Sequence, residues 1–166
     1  PMWPDMIANG NFGGGCASGS PSLGCWDLGG YPNPLDPVNA SVGCDGLIVV
    51  DDHNHGVNQL LPRLDPEARH PPYTLELNVS VRFGTLKFSL GGATHSLTEG
   101  PNTITATNGF EMRHYQVPEQ GMTFLSGEGT HYRTLHLRAA GFSSFTVASI
   151  GLFPTPPPPP LSLIHI

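Results

Sequence analysis

Apolar and polar residues alternate through most of the chain, and the longest run of this alternation spans residues 73–83. A period of two is the signature of a strand with one buried face. The two faces of this segment are Tyr73, Leu75, Leu77, Val79, Val81 and Phe83 on one side, and Thr74, Glu76, Asn78, Ser80 and Arg82 on the other. The segment predicts a central strand. Residues 85–90 repeat the alternation after Gly84 and predict a hairpin with it.

Shorter segments with the same alternation follow one another at the spacing of a β-sandwich. We expect further strands at about residues 46–52, 56–61, 102–107, 110–117, 122–126, 132–138 and 145–153. Helical periodicity is confined to one predicted turn at residues 65–68, with Asp65 as N-cap and Pro66 at the first helical position. Runs of strands without intervening helices predict an all-β, antiparallel sandwich.

The pattern changes at residue 154. We therefore expect one domain over residues 1–153, followed by a proline-rich linker at 154–160 in the stiff polyproline II conformation. The last six residues, 161–166, fit nothing before them and look like the translation of an adapter used in DNA library preparation. We expect the chain to be a metagenomic fragment of a longer protein, with a downstream module missing.

Composition narrows the possible partners. Thirteen acidic against seven basic residues give a formal net charge of −6, which disfavours nucleic acid and anionic membranes as partners. No apolar run is long enough to span a bilayer, so we expect no membrane insertion. The three cysteines predict one disulfide, Cys16–Cys25, with Cys25–Cys44 as the alternative. The cysteines and the linker together indicate an extracellular or cell-surface protein.

The two ends of the predicted domain carry a family resemblance. Residues 7–12 (Ile-Ala-Asn-Gly-Asn-Phe), a glycine-rich stretch and residues 25–30 (Cys-Trp-Asp-Leu-Gly-Gly) resemble the opening of jelly-roll carbohydrate-binding modules in the galactose-binding-domain-like superfamily. Residues 145–152 are similar to the final strand of these modules, and 73–83 to their central strand. The resemblance implies a jelly-roll sandwich over about residues 5–153, and Trp26 is expected to pack in its core.

The resemblance also implies a structural Ca²⁺ site, but the chain departs from the family at its ligands. Gly13, Ala148 and Ser149 stand where relatives carry acidic side chains. Ca²⁺ requires six to eight oxygen ligands, so we expect no cofactor. Asp51, Asp52, His53 and His55 form a second, weak candidate metal site, and turn chemistry explains this segment better.

Catalytic signatures are absent from the sequence. It contains no G-x-S-x-G, no H-E-x-x-H and no Cys–His signature, and nothing in it pairs two carboxylates for glycoside cleavage. We therefore expect a binding or structural module and not an enzyme.

A glycan site requires exposed aromatic rings for stacking and polar side chains for the hydroxyl groups. The alternation at 110–116 and 132–138 predicts such a groove if both strands share a concave sheet with 73–83. Its residues would be Tyr115 and Tyr132 as platforms, and Glu76, Arg113, His136 and Arg138 as hydrogen-bonding groups.

The leading hypothesis is therefore a non-catalytic carbohydrate-binding module of a secreted modular protein, with a polysaccharide as partner. The alternative is a structural or adhesive sandwich module of a bacterial surface or virion assembly. Burial of both tyrosines would favour the alternative.

Overall fold

The structure, a computed structural model, describes residues 5–13, 23–29, 39–51, 55–91, 95–98 and 100–156. Within these ranges the strands are β1 (Asp27–Gly29), β2 (Ala40–Gly43), β3 (Gly46–Asp51), β4 (Gly56–Leu60), β5 (Tyr73–Phe83), β6 (Thr85–Leu90), β7 (His95–Ser96), β8 (Thr103–Thr105), β9 (Glu111–Gln116), β10 (Thr134–Ala139) and β11 (Ser143–Pro154). One α-helix, α1 (Glu119–Ser126), and one 3₁₀ turn (His131–Arg133) precede β10.

The strands form two antiparallel sheets that enclose a common core, which confirms the predicted all-β sandwich at that level. Among the described residues, the five-stranded sheet has the order β2-β3-β11-β5-β9. The six-stranded sheet has the order β1-β4-β10-β6-β7, with β8 also paired to β6. The long strands β5 and β11 are neighbours at the centre of the five-stranded sheet.

The core contains the apolar side chains of the alternating segments. Leu75, Leu77, Val79 and Val81 of β5 are fully buried, and the side chains between them are not. Leu86, Phe88 and Leu90 of β6 are also fully buried. Burial of an aliphatic or aromatic side chain contributes roughly 1.5–3 kcal/mol, so these strands supply much of the hydrophobic stabilisation.

The predicted hairpin of residues 73–83 and 85–90 is wrong. Each segment is a strand with the expected bounds, but β5 lies in the five-stranded sheet and β6 in the six-stranded sheet. Gly84 joins them at a corner with φ of +76°, and a Cβ there would lie 2.4 Å from the Phe142 carbonyl oxygen. Both strands bury their apolar face in the same core, which a hairpin within one sheet and a corner between two sheets achieve equally well.

Two smaller predictions need correction. The strand expected at 122–126 is part of helix α1, which buries Gly121 and Leu125, one helical turn apart. The helical turn expected at 65–68 is a hydrogen-bonded turn, in which the Asp65 carboxylate accepts from Glu67 N–H at 2.9 Å.

The opening segment is attached to the last strand. Met6 N–H donates to the Leu152 carbonyl at 2.7 Å, and Ile150 N–H donates to the Gly10 carbonyl at 2.8 Å. Phe12 is fully buried, with its ring centroid 5.5 Å from that of Trp26. The prediction that Trp26 packs in the core is therefore confirmed. Asn11 is exposed, whereas Ile7 before it and Phe12 after it are buried.

Both cysteine pairings expected from the sequence are wrong. Cys25 carries a free, exposed thiol, and Cys44 is disulfide-bonded. Cys16 lies outside the described residues. Cys44 belongs to the turn between β2 and β3, so the disulfide restrains that turn.

At the carboxyl end, β11 continues through Pro154, and Thr155 N–H donates to the Pro72 carbonyl at 2.7 Å. Residues 157–166, which include most of the predicted linker and the whole expected tail, lie outside the described residues. In the part of the chain that the structure describes, no helix is long and apolar enough to cross a membrane.

Candidate functional site on the outer face of the five-stranded sheet

The outer face of the five-stranded sheet presents two cross-strand rows of accessible side chains. Asn78 of β5 lies between Ser149 of β11 and Met112 of β9. Glu76 lies between Gly151 and His114 in the next row. The residues that alternate with them on β5 are buried in the core, so the polar and exposed residues share the solvent side.

The turn between β2 and β3 closes one end of this face. Gly46 has φ of +119°, and a Cβ there would lie 2.1 Å from the Val147 carbonyl oxygen, so only glycine allows this approach to β11. At the same point β11 has a register shift between Val147 and Ser149, which is typical of a β-bulge. Glycine and bulge together allow the turn that carries Asp45 to approach β11 closely.

Phe110 is held at the opposite side by the loop before β9. Thr107 N–H donates to the Val81 carbonyl at 3.0 Å, and Val81 N–H donates to Thr107 Oγ1 at 2.9 Å, which ties this loop to β5. Gly109 then turns the chain with φ of +72°. The Phe110 side chain remains 47% exposed, although it is large and aromatic.

A depression of about 420 Å³ lies between these elements. It is lined by Asn11, Cys44, Asp45, Gly46, Asn78, Phe110 and Ala148. An accessible aromatic ring therefore lies beside two amides and a carboxylate.

A second depression of about 310 Å³ adjoins the first, because Asn11 lines both. Its charged groups are Asp5 and Glu76. Asp5 Oδ1 accepts hydrogen bonds from Ile7 N–H and Leu152 N–H, each at 2.9 Å, and Glu76 is paired with His114 Nε2 at 2.9 Å. We call the two depressions together the outer-face groove.

The six residues predicted to line one groove do not lie together. Tyr115 and Arg113 are on β9 in the five-stranded sheet, whereas His136 and Arg138 are on β10 in the six-stranded sheet. The expectation of a single concave face carrying both tyrosines is therefore wrong. It failed because the sequence does not show which sheet each strand joins.

Tyr115 is not an exposed platform. It lies opposite Leu75 in the β5–β9 register and is half-buried, with its ring centroid 5.0 Å from that of Phe88 on β6. Tyr132 is 44% exposed, but it lies in the 3₁₀ turn before β10, and its ring stacks on Phe124 of α1 at 5.2 Å. One tyrosine is thus half-buried and the other exposed.

Glu76 and Arg113 lie on opposite faces of their sheet. Glu76 belongs to the outer-face groove, whereas Arg113 is opposite the buried Leu77. Arg113 Nη2 donates to Glu111 Oε1 at 3.0 Å, and this bond raises the pKa of Arg113. The pKa of Glu111 is lowered, first by the hydrogen bond from Asn108 N–H and then by Arg113.

His136 and Arg138 share the outer face of the six-stranded sheet, in line with the predicted alternation of β10. Arg138 is only 2% exposed, and its Nη2 donates to Ser89 Oγ, which is fully buried, at 3.1 Å. Burial, followed by the charges of Arg138 and His131, lowers the pKa of His136 to about 4. Arg138 is thus almost inaccessible to a ligand, and His136 is half-buried.

The weak metal candidates are only partly described. His55 Nδ1 lies 3.0 Å from Asp51 Oδ1, and both side chains are buried, while Asp52 and His53 lie outside the described residues. Asp51 Oδ2 also accepts from Asn39 N–H at 3.1 Å, so this carboxylate fixes the start of β2. Within the described ranges, no group of three or more His, Cys, Asp or Glu side chains is placed to hold a metal ion.

Sequence reasoning missed Asn11, Asp45 and Phe110. Asn11 lies in the opening motif that carries the family resemblance, and Asp45 and Phe110 lie next to Gly46 and Gly109, both with positive φ. A glycine next to a polar or aromatic residue at a strand end could have indicated that Asp45 and Phe110 are candidate site residues. This signal does not show which strands lie side by side.

No protein-family model and no curated protein matches this sequence. The fold class is therefore assigned from the structure alone, and the chemistry of the groove is the basis for assigning a function.

Proposed function

We propose that this chain is a non-catalytic carbohydrate-binding module of a secreted modular protein, and that the outer-face groove is its glycan site. The observation that carries the proposal is the exposed Phe110 ring beside Asn11, Asp45 and Asn78 in one depression. Sugar rings stack their C–H faces on aromatic rings, and amides and carboxylates bind their hydroxyl groups. The groove thus offers both kinds of contact that a glycan requires.

The fold resemblance is consistent with this role. We propose that the sandwich has jelly-roll topology, supported by the position of β11 between β3 and β5, strands distant from it in sequence. The opening residues that resemble carbohydrate-binding modules place Asn11 in the groove. Fold alone does not determine function, so the proposed glycan binding depends mainly on the chemistry of the groove.

Affinity electrophoresis on gels containing neutral, aminated or acidic polysaccharides tests the proposal. We expect retardation on at least one gel and its loss in Phe110→Ala and Asn78→Ala. Phe142→Ala is the matched control, since this residue is 65% exposed and does not line the groove. Migration unchanged on every polysaccharide, or retardation that survives Phe110→Ala, would refute the site.

One observation favours the alternative, a structural or adhesive module. Phe83 and Phe142 stack with centroids 5.0 Å apart, and both are exposed, Phe142 by 65%. Contiguous exposed apolar surface marks contact sites in many proteins. If the pair mediates self-association, sedimentation velocity will show concentration-dependent oligomers in the wild type and monomers in Phe142→Ser. A monomer at all concentrations contradicts the alternative.

A further inference from the structure

The two depressions of the outer-face groove follow one another along β5. Asn78 lines the first and Glu76 the second, and Asn11 belongs to both. Residues two apart on a strand lie about 6–7 Å from each other on the same face. The groove is therefore long enough for more than one sugar unit, and each depression can serve as a separate subsite.

The charges along the groove have one sign. Asp45 lines the first depression, and Asp5 and Glu76 line the second, whereas no lysine or arginine is among the described residues that line either. His114 is engaged with Glu76. Arg82 lies on the same face of β5 but four residues beyond Asn78, about 13 Å away along the strand.

Both depressions are lined by aromatic and acidic residues, with Phe110 and Asp45 in the first and Phe153, Asp5 and Glu76 in the second. Phe110 provides the stacking surface in the first, and Glu76, which is about one-third exposed, provides a carboxylate in the second. An ammonium group donates up to three hydrogen bonds, and hydrogen bonds between charged groups are stronger than neutral ones. A ligand carboxylate or sulfate would instead meet charges of its own sign.

We propose that the groove binds a linear glycan through two consecutive subsites and selects amino sugars with free ammonium groups over uronic acids. This inference rests on the proposed glycan-binding function and names its ligand class. The first subsite stacks one sugar on Phe110, and the second binds the ammonium group of the next unit at Glu76. Asp5, whose Oδ1 is occupied by two backbone N–H groups, contributes negative potential to the second subsite.

Calorimetric titration at about pH 6 with oligomers of glucosamine, N-acetylglucosamine and galacturonic acid tests the inference. We expect at least a tenfold gain in affinity from the glucosamine monomer to the dimer and a much smaller gain beyond the dimer. The glucosamine tetramer is expected to bind at least tenfold more tightly than the galacturonate tetramer. In Glu76→Gln this preference should shrink severalfold while Phe110-dependent stacking remains.

A control variant and the pattern of affinities distinguish failure of the inference from failure of the proposed function. Glu128→Gln, at a carboxylate that is 90% exposed and outside the groove, should leave the preference unchanged. Equal affinity for monomer and dimer, or tighter binding of galacturonate, overturns the inference but leaves the proposed function standing if binding still depends on Phe110. Absence of binding to all three series and to every polysaccharide gel overturns both.

Discussion

The ring of Tyr115 on β9 packs against the ring of Phe88 on β6, with 5.0 Å between their centroids. This contact joins the edge of the five-stranded sheet to the core side of the six-stranded sheet. A tyrosine that the sequence favoured as a sugar platform is therefore a packing residue. The same strand places the alternate residues, Met112 and His114, on the opposite, exposed face.

Tyr115→Ala should destabilise the fold by about 2–4 kcal/mol, because it removes a large ring from a contact between the sheets. Tyr115→Phe keeps the ring and should change stability by about 1 kcal/mol or less. Urea unfolding measures both, with the exposed Tyr132→Ala as the comparison. If Tyr115→Ala were no more destabilising than Tyr132→Ala, the packing role would be excluded.

Gly10→Ala should reduce stability by about 1–3 kcal/mol, because a Cβ at this position would lie 2.0 Å from the Ile150 carbonyl oxygen. The opening segment would have to move away from β11, and Asn11 would leave the groove. Gly100→Ala is the matched control, since its Cβ would meet nothing within 4 Å. Equal stability of the two variants in urea unfolding contradicts the close packing described for Gly10.

Cys25 and Cys44 should behave differently towards iodoacetamide. Cys25 is free and exposed, so it should be alkylated in the native, unreduced protein, whereas Cys44 should react only after reduction. Peptide mapping by mass spectrometry distinguishes the two. Cys44→Ser should cost about 2–4 kcal/mol and loosen the turn that carries Asp45, while Cys25→Ser should be nearly neutral. Recovery of Cys25 within a disulfide would show that this assignment is wrong.

Acidification should weaken the fold through His136. Its pKa in the folded state is about 4, lowered by burial and then by Arg138 and His131, whereas the ordinary pKa of a histidine side chain is about 6.5. Since the unfolded chain binds the proton first, stability is fully present above pH 6.5 and falls as the pH drops towards 4. Allowing for the partial exposure of the ring, the loss should be about 1–2 kcal/mol.

His136→Gln isolates this contribution. Between pH 7 and about pH 5, the variant should lose less unfolding free energy than the wild type. An NMR titration reads the imidazole directly and should show a midpoint well below the ordinary value. A midpoint at or above pH 6.5 would contradict the burial described here.

The sequence predicted the bounds of individual strands better than it predicted which strands pair with one another. The alternation of residues 73–83 and 85–90 gave the bounds of β5 and β6, because burial of one face depends on local pattern. Their separation into two sheets depends on Gly84 and on which distant strand each meets. The helix at Glu119–Ser126 was missed because the apolar Met122 and Phe124 flank the polar Thr123, as they would in a short strand.

The candidate site could be predicted only in part for the same reason. Glu76 was correctly placed on the polar side of β5, but the remaining groove residues come from a turn, a loop and the opening segment. Asn11, Asp45 and Phe110 are brought together only by the pairing of β3, β11, β5 and β9. Such long-range pairing is not encoded in any one segment.

Binding of glycan to the outer face of the five-stranded sheet can be observed residue by residue in an NMR titration of ¹⁵N-labelled protein with the glucosamine tetramer and the N-acetylglucosamine tetramer. We expect amide shifts concentrated at Asn11, Asp45, Asn78 and Phe110, with little change around His136 and Arg138. Shifts confined to the six-stranded sheet, or no shifts with either ligand at millimolar concentration, would contradict it.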